Sequence, residues 1–66
     1  MSEERMMKWF EYKHLPTKLQ IISFRFSNLA HEIVECVDAG PERTVALRKL
    51  LEAKDAAVRA TVHPGG

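Results

Sequence analysis

The sequence predicts an all-α protein in which a short N-terminal segment precedes an antiparallel two-helix hairpin, assembled into a homo-oligomer. Two stretches, residues 17–38 and 41–62, carry apolar residues at helical spacing. The Gly40-Pro41 connection between them is short, and short connections join antiparallel neighbours. The chain has 66 residues, which is enough for one small domain.

Residues 1–16 form an N-terminal aromatic segment, with Trp9, Phe10 and Tyr12 inside four residues. We expect a short helix or turn around residues 3–11, ended by the proline that follows. Terminal aromatic clusters usually dock on a hydrophobic face. One ring could dock in this way while another stays at the wall of a pocket.

The helix predicted over residues 17–38 begins with Thr17 as its cap and carries an apolar stripe along one side. Ile21, Phe24 and Val34 add apolar surface beside this stripe, so we expect a second packing partner. Cys36 is expected to be a small buried side chain. The stripe consists of Leu19, Ile22, Phe26, Leu29, Ile33 and Val37.

The helix predicted over residues 41–62 opens on Pro41, which suits the first helical position because its missing N–H is no loss there. The sequence "HPGG" ends this helix, and residues 63–66 are expected to be a loose tail. Lys54 interrupts an otherwise apolar or small inner face. That face consists of Leu47, Leu50, Leu51, Lys54, Ala57, Val58 and Thr61.

Arg43 stands in the first turn of this second helix, where a cation meets the positive end of the helix dipole. It could reach into water or pair with Glu42. It could also wait for an anion, which the unpaired N–H groups of the helix terminus and the Thr44 hydroxyl would help to bind. The sequence leaves these interpretations open.

The small size of the chain predicts self-association. A domain of this length buries little surface and usually needs a disulfide, a metal or a partner copy. Cys36 is the only cysteine, and His14, His31 and His63 do not have metal-ligand spacing. We therefore predict a homo-oligomer without a metal or cofactor, with pockets at the joins between protomers.

The charge and the motifs narrow the possible functions. The formal net charge is +1, whereas proteins that bind duplex nucleic acid usually carry a basic face. No apolar run approaches the about 20 residues of a membrane span, and the first residues do not resemble a secretory signal. No catalytic triad is readable, and His31 is expected at the surface or an interface. These patterns predict an intracellular protein that is not an enzyme and binds neither duplex nucleic acid nor membrane.

The aromatic segment also carries positive charge, since Lys8, Lys13 and Lys18 flank Trp9 and Tyr12. Aromatic stacking on a base, combined with pairing to phosphate, is how proteins hold unpaired nucleotides. Arg43 and Thr44 form a second candidate anion site. Symmetry could bring several copies of Arg43 around one axis, where a cyclic oligonucleotide would match them.

Three features of the sequence match one known pattern: the segment "FEYKHLP", then Gln20, Arg25, Leu29, Ala30 and Ile33, and the segment "PERTVALRKLLEAKDAAVRA". With these features the chain resembles the small helical-hairpin sponges that phages use against bacterial CBASS immunity, and a related hairpin that counters Thoeris immunity. The resemblance covers roughly residues 10–60, and its most specific part is the last helix, where Leu51 replaces an expected acidic residue.

This resemblance implies a protein of the host bacterial cytoplasm that binds cyclic dinucleotides or trinucleotides without cleaving them. It implies homo-oligomers, commonly hexamers, with different pockets for the two ligand classes. Tyr12 would stack on a base, and Lys18 and Arg25 would pair with phosphates in the dinucleotide pocket. Arg43 and Thr44 would belong to the trinucleotide pocket.

Two other interpretations remain open at the level of sequence. The chain could be an interaction hairpin that binds and inhibits a host protein through its surplus apolar face. It could also be a small nucleic-acid-binding regulator, although its near-neutral charge argues against that class. A stable homo-oligomer that buries the apolar face would argue against the first, and steeply salt-dependent binding to duplex DNA would favour the second.

Overall fold

A computed structural model of the chain describes residues 5–65. These residues form three helices joined by short loops, with no strand among them. A 3-10 helix, Arg5–Phe10, is followed by helix α1, Thr17–Cys36, and helix α2, Pro41–Val62. The predicted hairpin is confirmed, with α1 ending two residues before the predicted end. Residues 1–4 of the N-terminal segment and Gly66 of the tail lie outside the described part of the chain.

Helix α1 begins after Pro16, whose extended backbone is the N-cap. The prediction of Thr17 as the cap was therefore wrong, because Thr17 is the first helical residue and no side chain caps the helix. The Pro16 carbonyl accepts the backbone N–H of Gln20 at 3.0 Å. The Gln20 side chain turns back and donates to the Leu15 carbonyl at 2.7 Å, which fixes the loop to the first turn.

The two helices are joined by the short turn between Cys36 and Pro41. Val37 leaves the helix in an extended conformation, and its N–H still donates to the Ile33 carbonyl at 2.9 Å. Pro41 occupies the start of α2 as predicted, directly after the N-cap residue Gly40. A turn this short reverses the chain, so α2 packs alongside α1.

The core is closed by one fully buried residue from each element: Phe10 of the 3-10 helix, Ala30 of α1 and Leu47 of α2. A pair of helices alone encloses no core, so the N-terminal segment completes it by laying Phe10 against both helices. The prediction that one aromatic ring docks on a hydrophobic face is confirmed. Partly buried side chains around these three are Met6, Met7, Phe26, Ile33, Val34, Leu50 and Leu51.

The buried side of α1 differs from the predicted stripe. Its most buried residues are Ser23, Ser27 and Ala30, whereas Leu29 and Val37 of the stripe are 45% and 46% exposed. The 3-10 helix packs against α1, and small side chains let two backbones approach closely. The stripe is therefore displaced from the buried side and not opposite to it: its other four members are half-buried, and Phe26 and Ile33 among them pack against the core.

Two further expectations for α1 are wrong. Cys36 is exposed rather than buried, because it lies in the last turn, beyond the region that the N-terminal segment covers. Ile21, Phe24 and Val34 do not form one surplus face. Val34 packs against the core, Phe24 is half-buried beside Tyr12, and Ile21 alone is largely exposed, at 54%.

The predicted inner face of α2 is confirmed: Leu47 is buried and its other members are all half-buried. The structure also explains why a charged residue, Lys54, lies on this inner face. The ammonium group of Lys54 donates to the Trp9 carbonyl at 2.6 Å and lies 5.9 Å from the centroid of the Phe10 ring. Lys54 thus satisfies a carbonyl at the end of the 3-10 helix and ties that helix to α2.

Removing the Phe10 ring should open the core. We expect Phe10→Ala to lower the free energy of unfolding by about 3 kcal/mol, since it empties the contact shared by all three elements. Chemical denaturation followed by circular dichroism, at equal protomer concentrations, measures this. Trp9→Ala is the matched control: that ring is 57% exposed, and its removal should cost far less. Equal losses would contradict the docking role of Phe10.

Removing the Lys54 charge should loosen the N-terminal segment. Lys54→Met keeps the length of the side chain but deletes the hydrogen bond to Trp9, and we expect a loss of about 1 kcal/mol. Lys49→Met is the control, because Lys49 only forms a 3.9 Å surface pair with Glu52 and such pairs stabilise little. Thermal unfolding measures both. A loss at Lys49 as large as the loss at Lys54 would contradict this role.

Candidate functional site

A half-open cleft of about 530 Å³ lies between the N-terminal segment and α1. Its volume falls in the range of roughly 300–1,000 Å³ that small-molecule sites occupy. We call it the N-terminal cleft. The N-terminal segment lines it with Met7, Lys8, Phe10, Glu11, Tyr12, Lys13 and His14, and α1 lines it with Ser27 and His31.

The loop that carries most of these side chains is held at both ends. At one end Phe10 is buried in the core. At the other end the Gln20 amide donates to the Lys13 carbonyl at 3.3 Å and to the Leu15 carbonyl at 2.7 Å. Between them the Leu15 N–H donates to the Tyr12 carbonyl at 3.0 Å and closes a turn. The fold therefore positions the cleft residues before any ligand arrives.

Tyr12 is the aromatic wall of the N-terminal cleft. Its ring is half-buried, and its centroid lies 6.3 Å from that of Phe24 with the planes at 54°, a favourable tilted arrangement. As expected, one ring docks and another lines a pocket: Phe10 is buried in the core, and Tyr12 lies at the wall of the cleft. Trp9 is not in the cleft lining; its ring is exposed, and the Lys8 ammonium lies 5.3 Å from its centroid.

The charges around the cleft favour an anion. Two lysines, Lys8 and Lys13, and one carboxylate, that of Glu11, belong to the lining with exposed side chains, and the Lys8 ammonium lies against the Trp9 ring. His14 and His31 add two imidazoles to the lining. Positive groups beside an aromatic ring are what proteins use to hold an unpaired base and its phosphate.

His31 is oriented by its own helix. Its Nδ1 lies 2.8 Å from the Ser27 carbonyl, and because a carbonyl can only accept, Nδ1 carries the hydrogen. Nε2 is then the ring nitrogen left to accept a hydrogen bond in the cleft.

Lys18 and Arg25, predicted to pair with phosphates, do not line the N-terminal cleft within one chain. Both are exposed on α1. The Arg25 guanidinium carbon lies 5.3 Å from the centroid of the Phe24 ring, which Tyr12 also contacts. Arg25 and Tyr12 thus both lie near the Phe24 ring, and the role of Arg25 as a phosphate ligand stays a prediction.

Arg43 donates from Nη1 to the Val37 carbonyl at 3.0 Å and the Val34 carbonyl at 3.2 Å. These are carbonyls at the C-terminal end of α1, where a cation is favourable. The contact answers why an arginine stands at the start of α2: its charge stabilises the end of the neighbouring helix.

Thr44 also makes a local contact, since its hydroxyl lies 3.4 Å from the Gly40 carbonyl. Arg43 and Thr44 are together at the hairpin turn, and the structure does not bring them to Tyr12. Tyr12 contacts α1 at Phe24, ten residues before Val34, which is about 15 Å along the helix axis. A second ligand site at this end of the molecule stays a prediction.

Tyr12 is the only one of the nine lining residues that was predicted as a ligand-binding residue. The eight others are Met7, Lys8, Phe10, Glu11, Lys13, His14, Ser27 and His31. Glu11 and His14 flank Tyr12 in sequence, so their proximity could have been inferred. Ser27 and His31 are four residues apart and therefore share a side of α1. Their place in the cleft depends on which side the N-terminal segment covers, and no local pattern shows that.

Other kinds of site were sought in the described residues. Residues 5–65 contain no group of three or more His, Cys, Asp or Glu side chains that could hold a metal ion. None of the described helices is both long enough and apolar enough to span a membrane.

Comparisons with protein-family models, with curated proteins and with solved structures find no match to this chain.

Neutralising Arg43 should destabilise the hairpin even without a ligand. Arg43→Met deletes the hydrogen bonds to two α1 carbonyls, and we expect the free energy of unfolding to fall by about 1–2 kcal/mol. Arg48→Met is the control, because Arg48 is exposed on the same helix. Denaturant unfolding of both variants measures the difference. Equal stability of the two variants would show that the contact to α1 contributes nothing.

Proposed function

We propose that this chain binds cyclic oligonucleotide second messengers, cyclic dinucleotides and/or trinucleotides, and holds them intact. In this proposal it is a phage immune-evasion protein that acts in the host bacterial cytoplasm. By sequestering the messenger it keeps the CBASS effector from being activated, and it does so as a homo-oligomer without enzymatic activity. A hexamer is the assembly that the sequence resemblance implies.

The observation that carries the proposal is the N-terminal cleft, whose lining brings Tyr12 together with Lys8 and Lys13. A base stacked on the Tyr12 ring would gain about 1–3 kcal/mol. Lys8 and Lys13 are within the same lining and suit the phosphates that join cyclic nucleotides. The turn and the Gln20 hydrogen bonds hold this geometry in the free chain, which lowers the entropic cost of binding.

The experiment is capture and release. The purified protein is incubated with cyclic dinucleotides, cyclic trinucleotides and cyclic ADP-ribose isomers, separated from free ligand and denatured, and the released molecules are identified by chromatography. We expect an intact cyclic oligonucleotide. Degraded ligand would contradict sequestration and point to an enzyme. If nothing is retained, the cleft is not a messenger site and the host-protein-binding hairpin becomes the better hypothesis.

Variants of Tyr12 locate the bound ligand. Tyr12→Ala should weaken cyclic dinucleotide binding about tenfold to a hundredfold, the loss of one stacked base. Tyr12→Phe keeps the ring and should bind nearly as well. The effect should be larger for dinucleotides than for trinucleotides, as expected if the two use different pockets. Titration followed by the fluorescence of Trp9, the single tryptophan, measures each affinity.

A matched pair of lysines checks the role of the cleft lysines. Lys13→Ala should weaken binding, because Lys13 lines the cleft. Lys49→Ala removes the same charge from the outside of α2 and should leave the affinity unchanged. Equal weakening by both would mean that only the net charge of the molecule attracts the ligand, and a specific site would be ruled out.

A further inference from the structure

We propose that the outer face of α1 binds a second copy of this chain, with the two helices antiparallel about a two-fold axis. We define the outer face as the exposed residues Lys18, Ile21, Arg25, Leu29 and Glu32. Their spacing of three or four residues places them along one side of the helix. This contact does not depend on the ligand site and would exist in the free protein.

The apolar residues of the outer face have no cover within the chain. Ile21 is 54% exposed and Leu29 is 45% exposed, while the N-terminal segment packs on the opposite side of α1, where Ser23 and Ser27 are buried. Among the described residues only three apolar side chains are fully buried. A domain with so small a core gains substantially from burying further apolar surface in a partner copy.

The charges of α1 select the partner and its direction. Lys18 and Arg25 lie in the N-terminal half, and Glu32 and Glu35 lie in the C-terminal half. This order opposes the dipole of the helix, whose N-terminal end is positive. None of these four residues forms an ion pair within residues 5–65. An identical helix running the other way would place its acidic half and its negative end beside the basic half of this one.

A specific register follows from the sequence. The midpoint between Arg25 and Glu32 falls between Asn28 and Leu29. A two-fold axis at this point sets Arg25 opposite Glu32 of the second copy, and Glu32 opposite Arg25 of that copy. Leu29 then lies next to the axis and packs against its equivalent. An isologous interface requires such self-complementarity, because each copy contributes the same surface. Binding to a host protein would not require Arg25 and Glu32 to match each other in this way.

Charge reversal tests the contact. Arg25→Glu and Glu32→Arg each place like charges opposite one another at two symmetric positions. We expect each single variant to show a two-fold lower mass than the wild-type assembly by sedimentation equilibrium. The double variant restores both pairs and should recover the wild-type mass. A mixture of the two single variants should also recover it, because each variant complements the other.

Several outcomes would overturn the proposal. A monomeric wild-type chain would do so, as would single variants of unchanged mass or a double variant that fails to recover. Arg48→Glu and Glu52→Arg on α2 carry matched charge changes outside the outer face and should leave the mass unchanged. Circular dichroism checks that each variant is folded. Recovery of the wild-type mass by the mixture requires both single variants to be folded, so it also excludes misfolding as the cause of their lower mass.

The same variants separate this contact from the predicted ligand role of Arg25. If Arg25 acts only on a phosphate, Arg25→Glu should abolish cyclic dinucleotide retention and leave the mass of the free protein unchanged. Adding Glu32→Arg would not restore retention in that case. If Arg25 acts in the interface, the mass changes in the absence of any nucleotide. Failure of the interface therefore does not imply failure of the messenger site, and the reverse also holds.

Discussion

The fold depends on the burial of one ring, that of Phe10, between two helices. Helices α1 and α2 pack against each other along one side of each helix, and this pairing alone encloses little apolar volume. The 3-10 helix brings Phe10 against Ala30 and Leu47, and this closes the core. Ser23 and Ser27 are small enough for the segment to lie close to α1. The same docking forms one wall of the N-terminal cleft, so stability and the candidate site have a common origin.

Three polar side chains fix how the elements meet. Lys54 holds the end of the 3-10 helix through the Trp9 carbonyl, Arg43 holds the end of α1, and Gln20 holds the loop between them. Each donates to a carbonyl that a helix end or a turn leaves without a backbone partner. These contacts resemble capping at long range. They explain why charged residues are found on faces that otherwise pack against apolar neighbours.

Much of the helical framework could be predicted from local patterns, because apolar spacing, Pro41 and the terminal "HPGG" act within a few residues. Local patterns also predicted the inner face of α2 and the docking of one ring. They did not predict which side of α1 is buried, that Leu29 and Cys36 are exposed, or which carbonyls accept from Arg43. All of these depend on where the N-terminal segment and the second helix lie, which is a tertiary relation that no local pattern encodes. For the same reason, Tyr12 is the only predicted ligand residue in the cleft.

The most direct test of the account is amide hydrogen exchange of the whole chain, alone and with saturating cyclic dinucleotides and trinucleotides. If the docked segment forms the messenger site, at least one nucleotide slows exchange both in residues 7–14 and in residues 27–31. These two stretches contact the ligand only if the segment is docked on α1. Slower exchange confined to residues 41–44, or no change with any nucleotide, would contradict a messenger site in the N-terminal cleft.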